Sequence, residues 1–185
     1  MKLISANLIA ASVAVILINC GGLDISEIAM RDFESRAGAF EVTVLPVRVV
    51  AGGEAEYNND LGLDLVSFLE ETGIAAGQLS ETAIEFPVQW HRNQAKMLRE
   101  SAAAVSEAVP GLQLDTKYAL QVELLCNPQK TYVGGIHLYL LNQAGEYVDV
   151  RLSNSHWAEF KEIVPKSPQD GLEVAKLMIK NNWQL

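Results

Sequence analysis

The densest gathering of chemically able side chains is FPVQWHRNQ, Phe86 to Gln94, where an indole, an imidazole, a guanidinium and several amides follow one another. The stretch falls where a strand should hand over to a helix. Free amide protons at a helix start attract anions, and Arg92 would assist there. Trp90 suits stacking on a sugar or on another aromatic ring, and His91 lies between the two. In the plainer reading Trp90 plugs the core and Asn93 caps the helix. A second aromatic pair, Trp157 and Phe160, sits in SNSHWAEFKEIVP outside obvious regular structure. Exposed, the pair would form an apolar patch inviting a partner; buried, it would close the core under the last helix. The candidate partner or ligand surface is therefore Trp90, His91, Arg92, Trp157 and Phe160.

Other chemistry finds no foothold. No two of His91, His137 and His156 lie at helical metal-ligand spacing to each other, and HExxH is absent, so no metal is expected. His137 is expected on the strand face turned away from the core, and His156 in a loop beside Trp157. There is no GxSxG, and Ser101 and Ser106 are flanked by alanines on a helix. The glycine-rich AGGE and VGGI supply neither GxGxxG nor GxxxxGK, which removes phosphate cradling. Glu70 and Glu71 are adjacent on a helix and point apart, unlike an acid/base pair in two distinct environments. No catalytic residue and no cofactor is expected, and the chain does not read as an enzyme.

Two cysteines remain, Cys20 and Cys126. Cys126 follows Leu124-Leu125 and reads as a small buried hydrophobe. Cys20 has different company. From Leu3 to Ile18 no residue is charged, and Lys2 precedes the run. That is short of the roughly 20 apolar residues that span a bilayer and fits a signal peptide. Leu17-Ile18-Asn19-Cys20 resembles a lipobox, the processing site of bacterial lipoproteins, with Cys20 as lipid acceptor. Asn19 departs from the usual Gly, Ala or Ser. The alternative is an uncleaved signal anchor or a buried helix. Acyl chains bury about 0.8 kcal/mol per methylene, so two or three of them anchor a protein stably. The expected divisions are residues 1–19 as signal peptide, 20–39 as lipidated tether with a short helix, and 40–185 as one globular domain.

Removing residues 1–19 takes Lys2 alone from the 14 basic side chains and none of the 23 acidic ones, so the formal net charge of −9 becomes one unit more negative. Such a balance argues against nucleic acid, which requires clustered cations.

The elements that must position these residues follow from periodicity. Leu23 to Ala37 reads as a helix capped by Asp24 or Ser26. Phe40 to Val50 reads as a strand, and Pro46 requires an edge or a bend there. AGGEAEYNND reads as a loop, and a helix capped by Asn59 or Asp60 follows, with Leu61, Leu65, Phe68 and Leu69 on one stripe. Thr82 to Gln89 reads as a strand, Arg92 to Val109 as a helix, and Lys117 to Cys126 as a strand. Val133–Asn142 and Glu146–Ser153 alternate with period two and form a hairpin. Ser167, Pro168 and Asp170 start the closing helix. The fold class is α+β, in the order (α)-β-α-β-α-β-β-β-α, with helices packed on one face of a mixed sheet.

The lipobox followed by VTVLPV, LDTKYALQVELL and NQAGEYVDVRL is similar to small periplasmic lipoproteins of envelope assembly, including the curli-secretion lipoprotein and penicillin-binding-protein activator lipoproteins. The resemblance implies a non-catalytic assembly or transport component, anchored at the outer membrane through Cys20 and facing the periplasm. It implies other envelope proteins as partners, and an oligomer is compatible with it. Gly21, where an aspartate would signal inner-membrane retention, favours the outer membrane. The second reading is a lipoprotein that binds a glycan or an anionic metabolite at Trp90, His91 and Arg92.

Overall fold

A computed structural model describes residues 26–88 and 91–183. The middle of the fold is β5 (Tyr118–Cys126), YALQVELLC, in which every residue is buried. Such a run without alternation belongs to a strand covered on both faces. On one side β5 pairs antiparallel with β6 (Val133–Asn142), which pairs antiparallel with β7 (Tyr147–Ser153). On the other side β5 runs parallel to β1 (Phe40–Val44) and then to β2 (Val47–Ala51).

The stretch read as one strand is thus two, and Pro46 bends it rather than marking an edge. β4 (Ala75–Leu79) flanks β1 in parallel, and β3 (Glu54–Asn58) flanks β2 antiparallel. Pro46 sits where the outer partner changes, so its missing N–H is not needed there. Its carbonyl accepts a hydrogen bond from the buried Gln121 amide at 3.0 Å.

Two expectations for this half need correction. AGGEAEYNND is not a loop but the turn and second strand of a β-hairpin followed by the first two residues of a helix: Gly52 and Gly53 both have positive φ (64° and 90°), as a two-residue turn between antiparallel strands requires. Thr82 to Val88 forms no strand. Its carbonyls are taken by side chains instead of a neighbouring strand: Tyr57 Oη donates to Ile84 O at 2.6 Å and Arg48 Nη2 to Phe86 O at 2.9 Å. We call Ser80–Val88 the strap.

Helices cover both faces, which corrects the expectation of one. α2 (Asn59–Glu71) and α5 (Pro168–Trp183) pack on the face of Val42, Leu120, Val122, Leu138 and Leu140. Asn58, not Asn59 or Asp60, caps α2, its Oδ1 accepting from Leu61 N at 2.9 Å. Ser167 Oγ accepts from Asp170 N at 3.1 Å and opens α5 as expected. The other face, with Ala119, Tyr139 and Leu141, is covered by α3 (Gln94–Ala108) and the strap. Asn93 caps α3 through Lys96 N at 3.3 Å. A short α4 (Ala158–Ile163) forms where no helix was expected.

α1 (Glu27–Glu34), capped by Ser26, is stitched in by Phe33. That ring meets Phe40, Tyr118 and Trp183 edge-on, with centroids 5.0–5.9 Å away. A β-bulge between Leu140 and Leu141 turns Val148 to the α5 side, while Val150 and Leu152 pack on the α3 side. Period-two reading had placed all three together.

Candidate functional site

A cleft of about 830 Å3 opens at the carboxyl ends of β2 and β5, beside the start of α3. Open crevices at the carboxyl ends of parallel strands are where mixed α/β sheets accept ligands. Met97 and Leu125 make its floor, and Pro128 and Tyr132 one wall. Gly53 of the hairpin turn is open at the mouth, whereas Gly52 lies against Pro128, and Gly134 of β6 lies against the Tyr132 ring with its carbonyl accepting from Gln94 Nε2 at 2.9 Å. His91 and Arg92 stand on the α3 side. No Asp or Glu is among the described lining residues, in a chain of formal net charge −9.

Of the expected surface, His91 and Arg92 reach this cleft together. His91 is half-buried and its Nε2 lies 2.9 Å from Glu100 Oε2, which fixes the ring; Arg92 is exposed. Trp90 lies outside the described residues, as does Cys20. Trp157 and Phe160 are not part of the cleft and do not form a common patch. Trp157 is 39% exposed, whereas Phe160 is 3% exposed and sits in the core beneath α5. His156 is exposed in the turn before Trp157.

Cys126 lines the cleft with a buried thiol. Burial pushes its pKa up to about 11, Lys130 pulling weakly down and Glu56 up. It is a neutral, apolar part of the wall and no thiolate nucleophile at neutral pH.

Sequence reasoning missed a second gathering of polar groups. His137 was expected on an outward face; it is fully buried, because that face lies under α3. Its Nδ1 is 2.7 Å from Glu123 Oε2 and 3.0 Å from Tyr139 Oη, and Tyr139 Oη donates to Glu123 Oε2 at 3.2 Å. Arg48 forms an ion pair with Glu123 Oε1, and its guanidinium stacks on the Phe86 ring at 3.8 Å. Ser101 Oγ approaches Glu123 at 3.4 Å.

Burial pushes the Glu123 carboxyl upward, but the hydrogen bond and charge of His137, then Arg48, outweigh it and leave it below the ordinary value of 4.5. Tyr139 is driven well above 10.0, by burial first and then by Glu123. Carboxylate, imidazole and phenol within hydrogen-bond reach have the makings of a proton relay, yet none of these three side chains is more than 2% exposed. The cluster ties β2, β5 and β6 to each other and to the strap. The available signal was Arg48 within an otherwise apolar VRVVA and Glu123 within VELLC: a charge in a fully apolar strand needs a buried opposite partner.

No family model matches the chain, and no curated protein matches it. Among solved structures the chain is similar to the LpoB C-terminal domain from Salmonella enterica. The TM-score is 0.41 and the identity 13%, over 68% of this chain and 90% of that one. The likeness is weak and concerns the arrangement of elements alone. Among the described residues no three His, Cys, Asp or Glu side chains converge as metal ligands, and no helix is long and apolar enough to cross a membrane.

Proposed function

We propose that this chain is a lipid-tethered, non-catalytic recognition protein of the bacterial envelope. Cys20 holds it to the outer membrane on the periplasmic side, and its cleft receives another envelope component. The observation that carries this reading is the placement of cleft and chain entry at opposite ends of the sheet. The Ser26 amide donates to Tyr147 O at 3.2 Å, beside the Tyr118–Asn142 end of β5 and β6. The cleft lies at the Cys126–Val133 end. A strand of nine residues separates the two ends by about 30 Å. From Cys20 to Ser26 the chain reaches at most about 20 Å. A lipid on Cys20 would therefore hold the Tyr147 end, rather than the cleft end, nearest the bilayer. The open cleft offers shape, apolar wall and a cation, while the Glu123–His137–Tyr139 cluster is sealed from it.

The test combines palmitate labelling with site-specific photocrosslinking. Label should vanish in Cys20→Ser; a crosslinker at Tyr132 should capture envelope proteins, and one at Glu146 should capture lipid. Label that persists without the thiol, or an intact Met1 on the native polypeptide, would remove the tether. A Tyr132 crosslinker that captures nothing would remove the recognition role.

A further inference from the structure

We infer that the cleft binds the free carboxyl terminus of an extended peptide whose last residues are apolar. This deepens the recognition role just proposed and rests on it. Four features of the cleft converge. Its volume of about 830 Å3 lies within the roughly 300–1,000 Å3 of sites that enclose a ligand. Its wall is mostly apolar, with Met97, Leu125 and Tyr132 offering somewhere to set alkyl or aromatic side chains.

Charge is the third feature. Arg92 is the one Lys or Arg among the described lining residues, and no carboxylate opposes it there, although acidic side chains outnumber basic ones 23 to 14 in the chain. His91 is engaged by Glu100. A single guanidinium beside apolar surface matches one carboxylate on an apolar body. It does not match a polyanion, which needs several cations, or an uncharged glycan. The fourth feature is the exposed Gly52–Gly53 turn, where Gly53 has no neighbour that a Cβ would meet, so that another backbone can approach. Capture of a terminal carboxylate by main-chain amides is an established mode of peptide recognition, and a guanidinium adds a charge-assisted hydrogen bond to it. An acyl carboxylate would share this chemistry, and binding of dodecanoate distinguishes it from a peptide.

The test uses the full chain reconstituted in phosphatidylethanolamine/phosphatidylglycerol nanodiscs. Fluorescein-labelled pentapeptides ending in Gly, Asp, Lys, Val, Leu or Phe, each as free acid and as amide, are titrated by anisotropy. The free acids ending in Val, Leu and Phe should bind best, and amidation should weaken them about tenfold, the worth of one hydrogen bond to a charged group. Arg92→Gln, an exposed change, should erase the acid–amide difference while the unfolding midpoint stays unchanged. Tyr132→Ala should weaken acids and amides alike and keep their ratio.

Equal binding of acids and amides, or an acid preference that survives Arg92→Gln, overturns the inference. So does binding of dodecanoate with no binding of any peptide, which would make the cleft an acyl-carboxylate site. If no peptide binds while the Tyr132 crosslinker still captures an envelope protein, the ligand class falls and the recognition role stands.

Discussion

Nδ1 of His137 lies 2.7 Å from Oε2 of Glu123, and both side chains are shut away from water between the sheet and α3. Arg48 holds the other oxygen of the same carboxylate. Glu123 is therefore the hub through which β2 and β6 are joined to β5, and removing its charge should do more harm than removing the whole ion pair. Glu123→Gln leaves the Arg48 guanidinium buried without a counter-charge, a change that costs about 3–5 kcal/mol. Arg48→Met combined with Glu123→Gln should recover most of that loss, since burying no ion is close to neutral. Urea unfolding of the two single variants and the double checks both statements.

The same carboxylate shapes the response to acid. Its folded-state pKa is held below 4.5, so the unfolded chain binds its proton more readily. The stability Glu123 contributes is complete above its ordinary value and is lost as pH falls through that value toward the folded one. Unfolding free energy should decline between about pH 5 and pH 3, and the decline should be shallower in Glu123→Gln. Asp64, also held below its ordinary 3.8 by Lys176 and Gln169 against its desolvation, keeps a residual slope in both proteins.

These buried charges also show where the chain speaks plainly and where it does not. α3, α5 and the β6–β7 hairpin were legible because their own residues carry the signal: a stripe at helical spacing, Ser167 ahead of Pro168, strict alternation beside a turn. β3 and β4 were not. EAEYN and AAGQL are small or polar because both strands lie at the margin of the sheet, where half of each is in solvent. TAIEFPVQ misled in the opposite direction: its apolar side chains Ile84 and Phe86 fill the α3-side core from an irregular strap rather than from a ladder. His91 and Arg92 were recognisable as a pair, since they adjoin in sequence. Their meeting with Leu125, Tyr132 and the Gly52–Gly53 turn depends on three strands converging at one end, which local spacing does not encode.

The raised pKa of Cys126 sets its reactivity. With the thiol pushed up to about 11 and buried, almost none is thiolate at pH 8. Iodoacetamide should leave the Cys126 peptide largely unmodified in the folded protein and label it fully in urea. Tryptic mapping by mass spectrometry separates this site from Cys20. Fast labelling of folded protein would contradict the burial.

Trp157 and Phe160, three residues apart, should differ sharply in weight. Phe160 is buried in the core beneath α5, and Phe160→Ala should cost about 3–5 kcal/mol through the cavity it leaves. Trp157 is 39% exposed, and Trp157→Ala should shift stability by no more than about 0.5 kcal/mol. Thermal unfolding of the two variants decides it; similar losses would mean that the indole is packed as deeply as the phenyl ring.

At the end of the sheet opposite the cleft, Gly145 carries a constraint that no other residue type can meet. Its φ of +78° is the left-handed region, where a Cβ is disfavoured by roughly 1–2 kcal/mol. A Cβ built there would also collide with the carbonyl oxygen of Ser106 on α3. That neighbour is backbone, and it is held in place: Ser106 Oγ donates to Gly145 O at 2.6 Å, and the Gly145 amide donates to Asn142 O at 2.9 Å. The turn cannot swing away without giving up both bonds. Gly145→Ala should therefore lower stability by about 2 kcal/mol or more, beyond the range of ordinary surface changes. Ser106→Ala, which removes one hydrogen bond and adds no clash, should cost about 1 kcal/mol. Chemical denaturation of both separates strain from lost bonding: equal effects would mean that the turn relaxes freely and that α3 is not pinned to the hairpin at this point.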